Sequence, residues 1–319
     1  MALPGGLADG AVHESLDAHV TAPLETDTAV PPTGRVPHVS RGTSAPLPRP
    51  ATPRVITVAN QKGGVGKTTS TVNLAAALAS AGLRVLVLDL DPQGNASTAL
   101  GIDHTRGVPD VYAALIEGLP LADVVQQTPD LPELLCAPAT IDLAGAEIEL
   151  VPLVARESRL RRAIETYLAS RTPEDPAPDY VFIDCPPSLG LLTVNALAAA
   201  TEVLIPIQCE YYALEGLSQL LTNIELVQSH LNPSLRVGAV LLTMFDGRTR
   251  LAAQVADEVR AHFGERVLST AVPRSVRVSE APSYGQTVVT YDPSSSGALA
   301  YTEAARELAR QTVAMEVRP

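Results

Sequence analysis

Tryptophan is absent from the 319 residues, phenylalanine occurs three times, and all aromatics together make up 3% of the chain. A core without large rings must be built from Ala, Val, Leu and Ile, as in sheets covered by closely packed helices, so the composition leans toward an α/β fold. No apolar run approaches the roughly 18 residues that cross a bilayer. The first residues, Met-Ala-Leu-Pro-Gly-Gly, have neither the basic start nor the apolar stretch of a signal peptide, and the chain is expected in the cytoplasm. Cys136, Cys185 and Cys209 lack CxxC spacing, which argues against a disulfide framework or a thiolate metal cluster and leaves them as small core residues. Positive charge is also in deficit: the formal net charge is −12, so any contact with nucleic acid would need a local patch.

Lysine is nearly missing. Of the 23 basic residues only Lys62 and Lys67 are lysines, and both lie in one glycine-rich loop. A compact ammonium on a flexible stem differs chemically from a planar guanidinium, and this chain keeps it at one place only.

Residues 1–53 hold nine of the 27 prolines and show no helical or strand periodicity, the pattern of a disordered tail. From Arg54 to the C-terminus, β-branched runs alternate with helical stretches. Strands are expected at 55–59, 84–90, 134–137, 180–185, 203–207, 237–243 and 267–272. Helices are expected at 67–81, 154–170, 188–200, 214–230, 250–263 and 297–314. This alternation implies right-handed crossovers and one domain, 54–319, with a three-layer, mostly parallel twisted sheet flanked by helices.

Between the first strand and the first helix runs Gln61-Lys62-Gly63-Gly64-Val65-Gly66-Lys67-Thr68-Thr69. Glycines there let backbone N–H groups turn toward phosphate oxygens, and the helix N-terminus adds partial positive charge. Lys67 would reach the β- and γ-phosphates, Thr68 would ligate Mg²⁺, and Thr69 would bond the α-phosphate. A second strand leads into Asp89-Leu90-Asp91-Pro92-Gln93-Gly94, and a third ends at Asp184 before Cys185-Pro186-Pro187. Acidic groups at the carboxyl ends of parallel strands stand where ligands bind. A carboxylate closing a buried strand needs a cation, here Mg²⁺ through its water shell.

The form KGGVGKTT, with Gln61 where an ordinary Walker A loop has glycine and a lysine at 62, resembles the deviant Walker A loop of the ParA/MinD family of ATPases. DLDPQGNAS (89–97), IDCPPSLG (183–190), PIQCEYYALEGL (206–217), LLTMFDGRT (241–249) and VPRSVRVSEAPSYG (272–285) are similar to the chromosomal, Soj-type ParA proteins of that family. The resemblance implies the P-loop NTPase fold and a slow, Mg²⁺-dependent ATPase with ATP and ADP as ligands. It implies an ATP-bound homodimer in which Lys62 reaches the partner protomer's nucleotide and Gly63 allows two backbones to meet. Asp91 would orient attacking water and face the metal, also through water, Asp184 would serve the Walker B role, and Met244, Pro273 and Arg274 would lie at the base. The partners implied are nonspecific double-stranded DNA and a ParB-type protein that stimulates hydrolysis, with the protein on the nucleoid.

From Leu235 to Glu280 seven arginines stand against five acids, a local excess of positive charge. Arg248 and Arg277 are the leading candidates for DNA contact, with Arg250 and Arg274 behind them. The alternative within the family is a MinD-like, membrane-associated regulator of division-site placement. Residues 301–319 mix acids with arginines and hold few bulky apolar side chains, a poor lipid anchor, so no membrane contact is expected.

Overall fold

The computed structural model describes residues 46–210 and 215–316. Most of the expected tail, residues 1–45, lies outside them. Residues 46–53, which the sequence assigns to the tail, rest against the domain: Arg49 donates to Asp179 Oδ2 and to the Gly82 carbonyl, each at 2.8 Å, and Leu47 packs on the core.

One eight-stranded sheet organises the described residues, formed by β1 (Arg54–Val58), β2 (Val85–Asp89), β3 (Gln126–Gln127), β4 (Leu134–Ala137), β5 (Tyr180–Asp184), β6 (Glu202–Gln208), β7 (Arg236–Phe245) and β8 (Val267–Pro273). Its order is β3-β4-β2-β5-β1-β6-β7-β8, parallel throughout except for the two-residue edge strand β3. Each of the seven long-range strands matches an expected one to within a residue or two. β3 was not expected, because two glutamines carry no strand signal.

Side-chain alternation divides the sheet between two cores. Val55, Leu86, Leu88, Val181 and Ile183 face α3 (Leu143–Glu149), α4 (Arg159–Ala169), α5 (Leu191–Ala199), α6 (Glu215–His230) and α7 (Arg250–Phe263). Ile56, Val58, Val85, Val87 and Phe182 face the other way, toward α1 (Lys67–Ser80), α2 (Asn95–Ala99), α9 (Val288–Tyr291) and α10 (Ser296–Glu316), with the short α8 (Val276–Glu280) beside them. Three layers result, as expected.

Two expected helices start late, each for a local reason. The segment from Val154 is interrupted at Ala155, which takes a left-handed backbone with φ of 54°; a short 3-10 turn, Arg156–Ser158, follows, and the α-helix starts at Arg159. The segment from Ser188 becomes helical at Leu191, where the Glu147 carboxylate on α3 accepts from the first backbone N–H groups. At the C-terminus, Tyr301, Ala304, Ala305, Leu308 and Ala309 turn the apolar side of α10 onto the sheet. That face is covered by the protein's own core, and no helix among the described residues is long and apolar enough to cross a membrane.

At the opposite edge from the strand carboxyl ends, Arg54 donates from Nε and Nη2 to Glu202 at 2.9 and 2.6 Å, with both side chains buried. Removing one partner of a buried ion pair leaves an uncompensated charge. Glu202→Ala should therefore lower the unfolding free energy by about 3–5 kcal/mol in urea titrations, well beyond the cost of an average surface truncation.

Candidate functional site

Parallel strands bring the segments after β1, β2, β5, β6, β7 and β8 to one edge. The loop after β1 is pinned at both ends. Asn60 donates to the Pro206 carbonyl at 2.8 Å and accepts from Lys62 N–H at 3.0 Å. Thr243 Oγ1 donates to the Val65 carbonyl at 2.8 Å, and Val65 is buried. Gly64 and Gly66 have φ of 74° and 88°, the left-handed region that only glycine enters without strain. The chain thus passes from strand to helix in a loop whose N–H groups can face an anion.

Lys67 begins α1 and is buried, with Nζ 3.3 Å from the Lys62 carbonyl. Burial lowers its pKa, opposed by the nearby Asp184 carboxylate. Thr68 and Thr69 follow on the first turn, and both remain partly exposed. Thr71, which the sequence reading passes over, packs one turn beyond Lys67; its hydroxyl lies 3.0 Å from both the Lys67 carbonyl and Asp184 Oδ1.

Asp89 and Asp184 are direct neighbours in the β2–β5 register. Asp89 accepts from Ser97 N–H and Oγ at 2.8 and 2.7 Å and from Asp91 N–H at 3.1 Å. It is a tie that shapes the following loop, a role the sequence leaves open. Asp91 keeps 9% exposure at that loop, with Oδ1 accepting from Gln93 N–H at 3.0 Å. Asp184 Oδ2 is buried and has no hydrogen-bond partner. An acceptor oxygen in that position fits the water shell of Mg²⁺, a hard cation that takes oxygen ligands and retains several waters. Thr68 and Asp91 are the other oxygen-bearing residues at the same edge.

A cavity of about 260 Å³ adjoins the loop and brings together Gly66, Thr69, Thr243, Met244, Pro273 and Arg274. Met244 has φ of 49°, a strained backbone for a non-glycine residue. Sequence position alone would not place Met244 and Pro273, 29 residues apart, on one wall.

Charged groups rim the edge. Glu210, also unremarked in the sequence, lies 3.4 Å from Lys62 Nζ and 3.8 Å from Arg274, so it holds the loop lysine and the β8 arginine in one cluster. Arg248 grips Asp246 through two bonds of 2.9 and 3.0 Å, which hold the Asp246 carboxyl down to about 2. Arg277 pairs with Glu280 at 2.9 Å and Asp292 at 3.5 Å. Arg250 is exposed and has no ion-pair partner among the described residues. The two leading DNA candidates are thus locally neutralised, and the third in order is the available cation.

A family profile described as an AAA domain matches residues 53–237. The sporulation initiation inhibitor protein Soj of Bacillus subtilis is 53% identical over 256 residues, 80% of this chain and 98% of that protein. The chromosome partitioning protein ParA of Caulobacter vibrioides is 51% identical over 80% of this chain and 93% of its own length. Among solved structures, cobyrinic acid a,c-diamide synthase of Mycobacterium smegmatis with bound ADP and magnesium shares 38% identity, with a TM-score of 0.67 and coverage of 80% and 93%. The septum site-determining protein MinD of Pyrococcus horikoshii, complexed with Mg-ADP, has the same fold at 24% identity, a TM-score of 0.61 and coverage of 80% and 95%.

Burial raises Asp89 to about 6, with the hydrogen bonds from Ser97 and Asp91 N–H opposing it and the Asp91 charge adding to it; burial and then the Asp89 charge raise Asp184 to about 8. An aspartate in the unfolded chain titrates near about 3.9, so between the two values the folded state holds protons that the unfolded state has released. Stability of the nucleotide-free, metal-free protein should fall as pH rises from about 4 to about 8 on account of these groups. Asp184→Asn should flatten the upper part of that slope and raise the thermal midpoint at the alkaline end; an unchanged slope in a melting series would contradict the assignment.

Proposed function

The chain belongs to the Soj/ParA family of chromosome-partitioning ATPases, and from that premise we propose that it is a nucleotide-gated DNA-binding dimer. ATP binding joins two protomers, nonspecific double-stranded DNA binds the dimer, and hydrolysis stimulated by a ParB-type partner releases it. The reading places the protein in the cytoplasm, on the nucleoid.

The observation that carries the proposal is the sole pair of lysines, Lys62 and Lys67, in one loop with opposite surroundings. Lys67 is buried among the groups at the start of α1, suited to the phosphates of its own protomer. Lys62 has 34% side-chain exposure and, among the described residues, its ammonium pairs with the outlying Glu210 alone, so it can leave the protomer. On an adjacent nucleotide it acts as a charge stabiliser of the arginine-finger kind. Gly63 is exposed, with no atom near the position of an added side chain, as close approach of a second backbone needs.

Within each site, Lys67 and the loop N–H groups hold the phosphates, and Thr69 and the cavity at Met244, Pro273 and Arg274 hold the remainder of the nucleotide. Asp91 orients the water that attacks the γ-phosphorus; the bond to the bridging oxygen breaks and ADP and phosphate leave. Thr68 directly, and Asp184 and Asp91 through water, would hold Mg²⁺, which would supply charge neutralisation of the phosphates. Loss of the γ-phosphate removes the anion that Lys62 reaches for, and the interface loosens.

DNA contact by arginines is made to phosphates and is sequence-independent and salt-sensitive. Arg250 is the first contributor, and Arg248 and Arg277 contribute as DNA phosphates compete for them with Asp246 and Glu280. Arg274, beside Glu210 and the cavity, serves the nucleotide first. The structural neighbour named as a diamide synthase is 38% identical, against 51–53% for the partition proteins, which favours the partition reading.

Binding to a nonspecific duplex should require ATP rather than ADP, and Lys62→Ala should weaken it at least about tenfold with ATP, the scale of one interfacial hot spot. Arg250→Ala should weaken binding equally on unrelated sequences and reduce the slope of log affinity against log salt by about one. Equal binding with ADP and ATP would exclude the gated dimer.

A further inference from the structure

Two glycines from distant segments meet backbone to backbone. Gly101 and Gly285 have φ of 66° and 64°, in the left-handed region. A side chain at Gly101 would stand 2.9 Å from the Gly285 carbonyl oxygen and 3.2 Å from Pro129 Cγ, and one at Gly285 would stand 3.2 Å from Gly101 Cα. Each glycine closes a short helical piece. Gly101 follows α2 and donates its N–H to the Thr98 carbonyl at 3.1 Å; Gly285 caps the 3-10 turn Ala281–Tyr284, which continues α8 without a break. Gln286 Nε2 donates to Asp130 Oδ2 at 2.9 Å, next in sequence to Pro129, so a side-chain bond accompanies the backbone contact.

The two pieces lead to different parts of the machinery. α2 is separated from Asp91 only by the turn at 92–94, where Gly94 N–H donates to the Asp91 carbonyl at 2.8 Å. Ser97, in the middle of α2, is fixed on Asp89. With that pivot, and a length of about one and a half turns, α2 acts as one lever between Gly101 and the Asp91 turn.

On the other side, α8 carries Arg277, while Val278, Ser279 and Pro282 line the nucleotide cavity. Arg277 ties α8 to Asp292, beyond α9, at 3.5 Å, and a phosphate that draws Arg277 away removes that tie. The segment after Gly285 also reaches α1: Asn73 Oδ1 accepts from Val288 N–H at 2.8 Å while its Nδ2 donates to the Thr69 carbonyl at 2.8 Å. Residues 285–288 therefore bear on both the phosphate-loop helix and the lever behind Asp91. Backbone packed on backbone passes a displacement on without the slack that flexible side chains allow.

We propose that the Gly101–Gly285 contact is the joint through which DNA at Arg277 adjusts Asp91, with Gln286 and Asp130 as the side-chain tether that keeps it closed. Gly101, Gly285, Gln286 and Asp130 are positioning residues: they act on hydrolysis through α2. The proposal rests on the reading of Arg277 as a DNA contact and of Asp91 as the residue that orients water.

The test is steady-state ATP turnover of the full chain with and without saturating nonspecific duplex. DNA should raise turnover of the unaltered protein at least about fivefold, the lower end of site-to-site coupling, and Gly101→Ala should bring that ratio close to one with ATP-dependent DNA binding retained. Gln286→Ala and Asp130→Ala should each lower the ratio at least about twofold, while melting temperature, ATP affinity and turnover without DNA match the unaltered protein. Asp130→Asn, which keeps an acceptor for Gln286, should restore the full ratio. A merely structural contact would lower the melting temperature and the turnover without DNA and leave the ratio alone. Full DNA stimulation of a folded Gly101→Ala would overturn the joint. Full stimulation of Gln286→Ala and Asp130→Ala would overturn it where Gly101→Ala does not fold, and would strike the tether from it where Gly101→Ala does. No effect of DNA on the unaltered protein's turnover would overturn the joint and leave the nucleotide-gated dimer standing. Equal duplex binding with ADP and ATP would overturn the gated dimer, and a DNA effect on turnover that still vanished in Gly101→Ala would leave the joint standing.

Discussion

Asp184 ends a strand with neighbours on both sides and helices on both faces, so its carboxylate can remain charged only where a cation or hydrogen-bond donors reach it. Thr71 reaches one oxygen, Lys67 contributes its charge from the start of α1, and the second oxygen has no protein partner. Asp89, alongside in the next strand, is engaged by Ser97 and by Asp91 N–H. The arrangement is electrostatically incomplete in the protein alone, since buried negative charge exceeds what the local donors satisfy. A hydrated dication with bound phosphates would supply what the geometry leaves open, offsetting the burial and the neighbouring carboxylate charge that raise the Asp184 pKa.

Much of this was legible before any coordinates. The central parallel strands announce themselves because they are buried on both faces and read as continuous apolar runs. The phosphate loop is contiguous, so its residues identify themselves by order and type. What escaped the sequence is what depends on contacts between distant segments. Glu147 sets the start of α5 from 44 residues away, and Ala155 delays α4 by a backbone state that alanine rarely adopts. Thr71 is one polar residue on an alanine-rich helix until β5 is placed beneath it. Asp89 has no role that the sequence assigns until Ser97 is seen to engage it. The short α2, α3, α8 and α9 are each below two full turns, too brief for periodicity to separate them from turns.

The charge pattern is more informative locally than in total. A net charge of −12 argues against a polyanion as ligand when read over the whole chain, yet Arg248, Arg250, Arg274 and Arg277 gather at the ends of β7 and β8. Even there, carboxylates answer three of the four: Asp246, Glu210, and Glu280 with Asp292. Pairing of this kind lowers nonspecific attraction to any anion. For the nucleotide-gated binding proposed above, that would be a useful balance: one protomer's patch would be weak, and two side by side would be stronger.

Sheet order adds a last consequence. The segments proposed for phosphate, water and metal follow β1, β2 and β5, which stand at the middle of the sheet. The arginines follow β7 and β8 toward one end, and α3 follows β4 toward the other. The arginines and α3 therefore stand at opposite ends of one edge, with the phosphate loop between them. Each end adjoins a different part of the central site: β8 contributes the cavity wall at Pro273 and Arg274, and α3 holds the start of α5 through Glu147. A parallel sheet with its reactive groups at the centre provides that separation by topology.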